Sequence, residues 1–242
     1  MARLYLSDAV AEAGAGERIV IGGDEARHAV VVSRLRPGEP VLVGDGAGTQ
    51  AHGAVVEAAP GRLVVELGEI RRSAAARPQL WLAQALAKGD RDELAVQAAT
   101  ELGVDRVIPW AAARSVVRWD PQKAQRMRQR WESIAREAVK QSLRPHLPSV
   151  DGLATTEGLL ALGAAARIVV LEPAAEARLS AFEGDGRDIL LVAGPEGGID
   201  PAELQAFREA GAEVLRLGES VLRTSTAGPA AIAVLSARLG RW

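Results

Sequence analysis

Residues 189–201 read Ile-Leu-Leu-Val-Ala-Gly-Pro-Glu-Gly-Gly-Ile-Asp-Pro, five apolar residues running straight into a glycine-bearing loop. A short all-apolar run bounded by turn residues predicts a strand covered on both faces, the pattern of a parallel sheet. Beyond the loop, Asp200 is placed to cap a helix, Pro201 suits its first position, and Glu203 completes a capping box. Strand, loop and helix in this order are the repeating unit of an α/β domain. The ligand crevice of such a sheet lies beyond the carboxyl ends of its strands, where residues 194–200 fall. The loop carries neither G-x-x-x-x-G-K-[ST] nor G-x-G-x-x-G, and Glu196 at its centre would repel phosphate. It suits a neutral or cationic ligand, or it is a tight turn ahead of a well-capped helix.

The same rhythm extends outward. Residues 79–85, 106–109 and 167–171 are further short apolar runs, with helices predicted among them. Asp90-Arg91-Asp92-Glu93 reads as a capping box, Asp90 capping and Glu93 reaching back, for a helix that stops near Gly103. Asp120-Pro121 opens another, in which Met127, Trp131, Ile134 and Ala138 form an apolar stripe. Residues 213–217 read as one more strand. It leads into Leu217-Gly218-Glu219-Ser220-Val221-Leu222-Arg223-Thr224-Ser225-Thr226-Ala227 and a final apolar helix over 227–239. Thr224, Ser225 and Thr226 are candidate caps, and Gly228 and Pro229 are placed in the first turn, where proline is tolerated. Ala227, Ala230, Ala231, Val234 and Leu235 form a stripe of mostly small side chains. Arg223 is a lone cation between apolar and hydroxyl residues, either meeting a ligand or RNA or closing an ordinary salt bridge.

Residues 1–72 follow a different pattern. Apolar runs at 18–21, 40–43, 53–57 and 62–67 are divided by turn signals such as Pro37-Gly38 and Gly44-Asp45-Gly46, and 24–32 reads as a short helix. Several short strands at close spacing predict a small β-barrel. Residues 73–78 have no periodicity and end in Pro78. They are read as a linker to an α/β domain over 79–242.

The chain has no cysteine, which excludes disulfides and thiolate metal sites. His28, His52 and His146 stand at no metal-ligand spacing, so no metal is expected. The first ten residues lack the apolar core of a signal peptide, and no stretch approaches the ~20 apolar residues of a membrane span. A cytoplasmic protein is expected. The net charge of −2 argues against a uniformly basic surface, but between Arg114 and Arg144 nine basic residues stand against three acidic ones. Such a stripe suits a phosphate backbone, or a solvated helix face.

GPEGGID at 194–200, followed by LGESVLRTSTA at 217–227, closely resembles the two ligand loops of the small-subunit rRNA uridine-N3 methyltransferases, the RsmE family of the SPOUT class. Three other stretches match in order. His28, Arg34-Leu35-Arg36-Pro37-Gly38 and Asp45-Gly46 resemble the family's N-terminal PUA-like RNA-binding barrel. Gln84-Ala85-Leu86-Ala87-Lys88-Gly89-Asp90, with Gln97 and Thr100-Glu101-Leu102-Gly103, resembles the start of its catalytic domain. Trp131, Ile134-Ala135, Glu137-Ala138, Gln141-Ser142 and Arg144 resemble its central helix and following loop. The chain departs from the pattern at Glu219-Ser220, Ser225, Gly228-Pro229, Lys140, Leu143 and Pro145-His146, which bear on target binding more than on the cofactor loops.

The resemblance implies a PUA-like barrel followed by an α/β methyltransferase domain whose C-terminal segment forms a trefoil knot, an exception to the rule against knots. It implies a homodimer, S-adenosylmethionine as cofactor, and N3 of a uridine in 16S ribosomal RNA as target. By the same analogy Leu171, Glu172, Gly194, Pro195, Glu196, Gly197, Leu217, Gly218, Leu222, Arg223, Thr224, Thr226 and Ala227 surround the cofactor. Arg223 favours the deprotonated uracil, and Glu196 or water accepts its proton. Arg34, Arg36, Lys88, Arg91, Arg114 and Arg144 are the expected RNA contacts. The small-residue stripe suits either dimer packing or the monomer's core. Rival readings are a related methyltransferase acting on tRNA or ribose 2′-OH, an inactive RNA-binding ribosome-assembly factor, and a nucleotide-binding oxidoreductase, which the missing phosphate fingerprint disfavours.

Overall fold

The computed structural model describes residues 3–242; Met1 and Ala2, the start of the segment read as lacking a leader core, lie outside the described residues. The chain divides into two compact units, one made of residues up to 75 together with 139–147, the other of 76–138 together with 148–242.

The first unit carries β1 (Arg3–Leu6), β2 (Arg18–Gly22), α1 (Gly23–Arg27), β3 (Pro40–Gly44), β4 (Thr49–Ala59) and β5 (Arg62–Arg72). Its sheet has the order β1-β3-β4-β5-β2, with β1 parallel to β3 and the other neighbours antiparallel. β1 and β2 are both edges, so the expected barrel is a mixed half-barrel among the described residues. α1 runs into a wider turn over His28–Val32, so the segment read as one short helix is helical throughout but changes its winding midway. Tyr5, Ile19, Ile21, Val41, Val43, Leu63 and Val65 fill the concave side. Because strand side chains alternate, Leu4 and Leu6 point the other way, where they and Leu42 are covered by Val139 and Leu143. That packing brings 139–147 into this unit. Past Arg72 the chain is held as well, since the Ser73 N–H donates to the Gly48 carbonyl and His146 contacts the Ser73 carbonyl.

The second unit is built on β6 (Leu80–Ala85), β7 (Arg106–Trp110), β8 (Ser149–Val150), β9 (Ala166–Leu171), β10 (Asp188–Ala193) and β11 (Glu213–Leu215). All neighbours are parallel, in the order β11-β9-β10-β6-β7-β8. Both faces are covered, as the all-apolar runs require. Leu80, Leu82, Ile189 and Leu191 join Trp131, Ala231, Ile232 and Leu235 on one side, while Trp81, Ala83, Leu190 and Val192 join Trp110, Leu159 and Phe207 on the other. The helices are α2 (Arg91–Glu101), α3 (Pro121–Ser142), α4 (Thr156–Ala161), α5 (Pro201–Glu209) and α6 (Thr224–Arg238).

Two helix starts follow the sequence signals. Asp120 accepts from the Lys123 N–H at 2.8 Å, and Asp200 from the Ala202 N–H at 2.9 Å with Pro201 opening α5. Both expected capping boxes are incomplete, because tertiary partners take the glutamates. Asp90 adopts a left-handed backbone (φ 59°) without capping, and Glu93 pairs with Arg130 at 2.9 Å. Asp92 instead ties the turn, accepting from the Ala87 and Glu93 N–H groups, and burial pushes its carboxyl pKa up despite those bonds. Glu203 accepts from the Ala113 N–H and from the Thr156 hydroxyl rather than reaching back to Asp200. The last helix starts three residues earlier than expected, with Arg223 at the cap position and no side-chain cap. Pro229 therefore falls in the second turn, and the hydroxyl of Thr224 is engaged elsewhere.

Candidate active site

The carboxyl ends of β9, β10 and β11 open onto one crevice of about 380 Å³, closed on a further side by the start of α6. Of the residues expected around a ligand, Leu171, Glu172, Gly194, Pro195, Glu196, Leu217, Gly218, Leu222, Arg223, Thr224 and Ala227 line it. Gly197 and Thr226 do not. Gly197 turns its carbonyl toward Arg114 (3.4 Å), and Thr226 lies off the helix face that Thr224 and Ala227 share at i, i+3. Pro173, Gly198, Ile199, Ser220 and Val221 also line the crevice, as does Arg91, which was expected to meet RNA.

The loop after β10 requires its glycines for identifiable reasons. A Cβ on Gly194 would stand 2.7 Å from Cγ1 of the buried Ile199, and Gly198 sits at φ +74°, a region side chains disfavour. The Gly198 N–H closes the turn on the Pro195 carbonyl at 2.9 Å.

Polar contacts join the loop to its surroundings. The Thr224 hydroxyl donates to the Gly194 carbonyl at 2.8 Å and accepts from the Gln84 amide at 2.9 Å. Glu196 Oε1 accepts from the Lys88 N–H at 3.1 Å and from Arg91 at 2.9 Å. Burial would raise the Glu196 pKa, but hydrogen bonds from its own backbone and from Lys88 and Arg91 outweigh it and leave the carboxyl below its ordinary value. A carboxylate so held is a weak base, which argues against Glu196 as proton acceptor. Arg223 is exposed at the crevice rim, and its guanidinium makes no hydrogen bond or ion pair with any described residue.

Residues 75–236 match the family model described as an RNA methyltransferase domain, and residues 21–68 the one described as an RNA methyltransferase PUA domain. Over its whole length the chain is 39% identical to the ribosomal RNA small subunit methyltransferase E of Mycobacterium bovis, covering 94% of that protein. This chain belongs to the ribosomal RNA small subunit methyltransferase E family. The Bacillus subtilis member is 33% identical over 89% of this chain and 88% of its own. A crystal structure of the Neisseria gonorrhoeae member bound to S-adenosyl methionine aligns with a TM-score of 0.88 at 26% identity, covering 98% of each chain. The family accounts for both halves of the fold: a PUA-like unit first, then an α/β methyltransferase domain.

Within that family frame the expected RNA contacts fall into two groups. Arg34, Arg36 and Lys88 are exposed, and their side chains make no hydrogen bond or ion pair with described residues. Arg91 and Arg114 are held by Glu196 and Asp200, and Arg144 is half-buried. Much of the basic stripe is likewise engaged: Arg118 donates to the Ala112 and Ala113 carbonyls, Arg128 pairs with Glu132, and Lys140 with Glu25. Among the described residues there is no cluster of metal-ligating side chains and no helix long and apolar enough to cross a membrane. Sequence reasoning named Gln84 only as part of a family stretch and assigned Arg91 to RNA; nothing local marks that Gln84 reaches Thr224 or that Arg91 reaches Glu196.

Proposed function

We propose that this protein transfers a methyl group from S-adenosylmethionine to N3 of a uridine in 16S ribosomal RNA, acting in the cytoplasm as a homodimer. One observation carries the reading: the two glycine-bearing loops, whose first glycines are Gly194 and Gly218, wall a single crevice at the strand ends of a chain that matches the family throughout.

The crevice suits the cofactor. Its volume is in the range of small-molecule sites. No atom lies within 4 Å of where a Cβ on Gly218 would stand, so a ligand can approach the backbone there. Leu171, Leu217, Leu222 and Ala227 offer apolar walls, and Glu172 and Glu196 offer carboxylates to a cationic ligand. When bound, S-adenosylmethionine supplies an electrophilic methyl group on a positively charged sulfur.

The chain's own task is alignment and charge stabilisation. Uracil N3 must lose its proton to become a nucleophile, leaving negative charge on the ring nitrogen and its flanking oxygens. Arg223 can donate hydrogen bonds to that anion and cannot take its proton. Glu196, paired with Arg91, holds its loop in place, and the proton passes to water. The target base must be unstacked to enter. Arg34, Arg36 and Lys88 are the cations available to phosphates. Val221, 76% exposed at the crevice rim, supports the homodimer as an apolar side chain that a second copy would cover. The family reading also carries a trefoil knot in the C-terminal segment, which the side-by-side loops support.

The test is mass spectrometry of 16S rRNA from cells with and without the gene. Loss of one N3-methyluridine, restored by the intact gene, is expected; unchanged N3-methyluridine overturns the proposal.

A further inference from the structure

Gln84, the penultimate residue of β6, is fully buried. Its Nε2 lies 3.2 Å from the Ala85 carbonyl oxygen and 2.9 Å from Thr224 Oγ1. A carbonyl oxygen can only accept, so the nitrogen end of the amide must face it, and the orientation of the amide is determined. Thr224 therefore receives a hydrogen bond, and its single hydroxyl proton is directed to the Gly194 carbonyl at 2.8 Å. Gly194, on the loop after β10, and Thr224, at the start of α6, both line the crevice. One buried amide thus sets the polarity of the bond that ties the loop after β10 to the start of α6.

The other end of the amide makes a purely structural role unattractive. Gln84 Oε1 is buried without a hydrogen-bond partner among the described residues, and it faces Gly228, where a Cβ would stand 3.4 Å away. A buried, unpartnered oxygen is unfavourable, so an apolar side chain of the same size would serve stability better. What the amide adds is its donor.

We propose that Gln84 is a positioning residue for methyl transfer. Through Thr224 it fixes the spacing of Gly194 and α6, and with it the affinity of the crevice for S-adenosylmethionine. The inference rests on the function proposed above. Gln84→Glu inverts the relay, because an ionised carboxylate can only accept and draws the Thr224 proton away from Gly194. A buried carboxyl has a raised pKa, so acid restores a donor at this position.

The experiment is calorimetric titration of the full chain with S-adenosylmethionine, alongside thermal unfolding. Relative to wild type at the same pH, Gln84→Glu is expected to bind about tenfold more weakly near pH 9 and to recover toward pH 6. Gln84→Met is expected to unfold at or above the wild-type temperature yet to bind several-fold more weakly. Thr224→Ser, which keeps the hydroxyl, should bind more tightly than Thr224→Val, which lacks it. Thr224→Val should lose affinity, with no further loss on adding Gln84→Glu. Additive losses in that double variant, or wild-type affinity in Gln84→Met and Gln84→Glu, overturn the role of Gln84. Wild-type protein that binds no S-adenosylmethionine overturns the proposed function, and this inference with it.

Discussion

The Arg91 guanidinium lies 2.9 Å from the Glu196 carboxylate, joining the start of α2 to the loop after β10 across 105 positions of sequence. The same carboxylate oxygen accepts from the Lys88 N–H, so one side chain holds both the turn and the helix that follow β6. Burial opposes ionisation of Glu196, yet its hydrogen bonds prevail and the pKa is lowered from 4.5. A lowered pKa stabilises the folded state above that ordinary value, and the contribution is lost as pH falls through the lower, folded value. Protection of the Lys88 amide from hydrogen exchange, corrected for intrinsic rate, should therefore drop below pH 4.5 in the wild type. In Glu196→Gln it should be weaker at neutral pH and nearly flat with acid. Equal protection in both proteins over that range would show that the charge does not hold the turn.

Arg223 is the crevice cation that no described carboxylate neutralises. If it stabilises the charge that develops on uracil, its removal should act on the chemical step. Arg223→Ala is expected to lower single-turnover methyl transfer by about 10²–10³, the usual cost of losing one such donor. Affinity for S-adenosylmethionine should change far less. Arg223→Lys should recover only part of the rate, since an ammonium cannot reproduce the guanidinium fork. A large loss of cofactor affinity with normal turnover at saturation would assign Arg223 to binding instead.

How much of this was legible depends on how far each residue's partner lies along the chain. The loop at 194–200 could be read locally: five apolar residues, glycines, then Asp200 and Pro201, whose capping geometry the structure reproduces. Asp90 and Glu93 carried an equally good local signal, yet Arg130, 37 residues on, claims the glutamate. Val139 and β1 went unread for one shared reason. Arg3–Leu6 is too short to display a period, Val139 lies off the stripe of α3, and each acquires its meaning only by covering the other. Gln84 was visible as part of a motif, but its partner Thr224 is 140 residues away, beyond any periodicity.

Trp131 offers a test of the core. It is fully buried and packs edge-on against Trp119, with centroids 5.5 Å apart. Trp131→Ala should cost about 3–5 kcal/mol, the usual range for emptying an aromatic site. Its Nε1 has no hydrogen-bond partner among the described residues, so Trp131→Phe sacrifices packing but no hydrogen bond. The phenylalanine variant should accordingly lose only a fraction of that amount in urea titrations. Equal losses in the two variants would mean that the indole N–H makes a bond that matters.

RNA binding should separate the exposed arginines from the engaged ones. Each phosphate contact contributes about 0.7–0.9 to the slope of log affinity against log salt, depending on whether the RNA is single-stranded or duplex-like. The guanidinium of Arg36 has no described partner and is exposed, so Arg36→Ala should weaken binding and flatten that slope by nearly one unit; Arg34→Ala should do the same. Arg114 is differently placed. It pairs with Asp200 at 3.3 Å and reaches the Gly197 carbonyl at 3.4 Å, so its charge is already partly compensated within the protein. Arg114→Ala should leave the salt slope close to wild type while loosening the 194–200 loop, seen as weaker S-adenosylmethionine binding. Filter-binding titrations across a salt series measure the first effect and calorimetry the second. A slope lowered by Arg114→Ala but untouched by Arg36→Ala would move the RNA path from the half-barrel to the crevice rim.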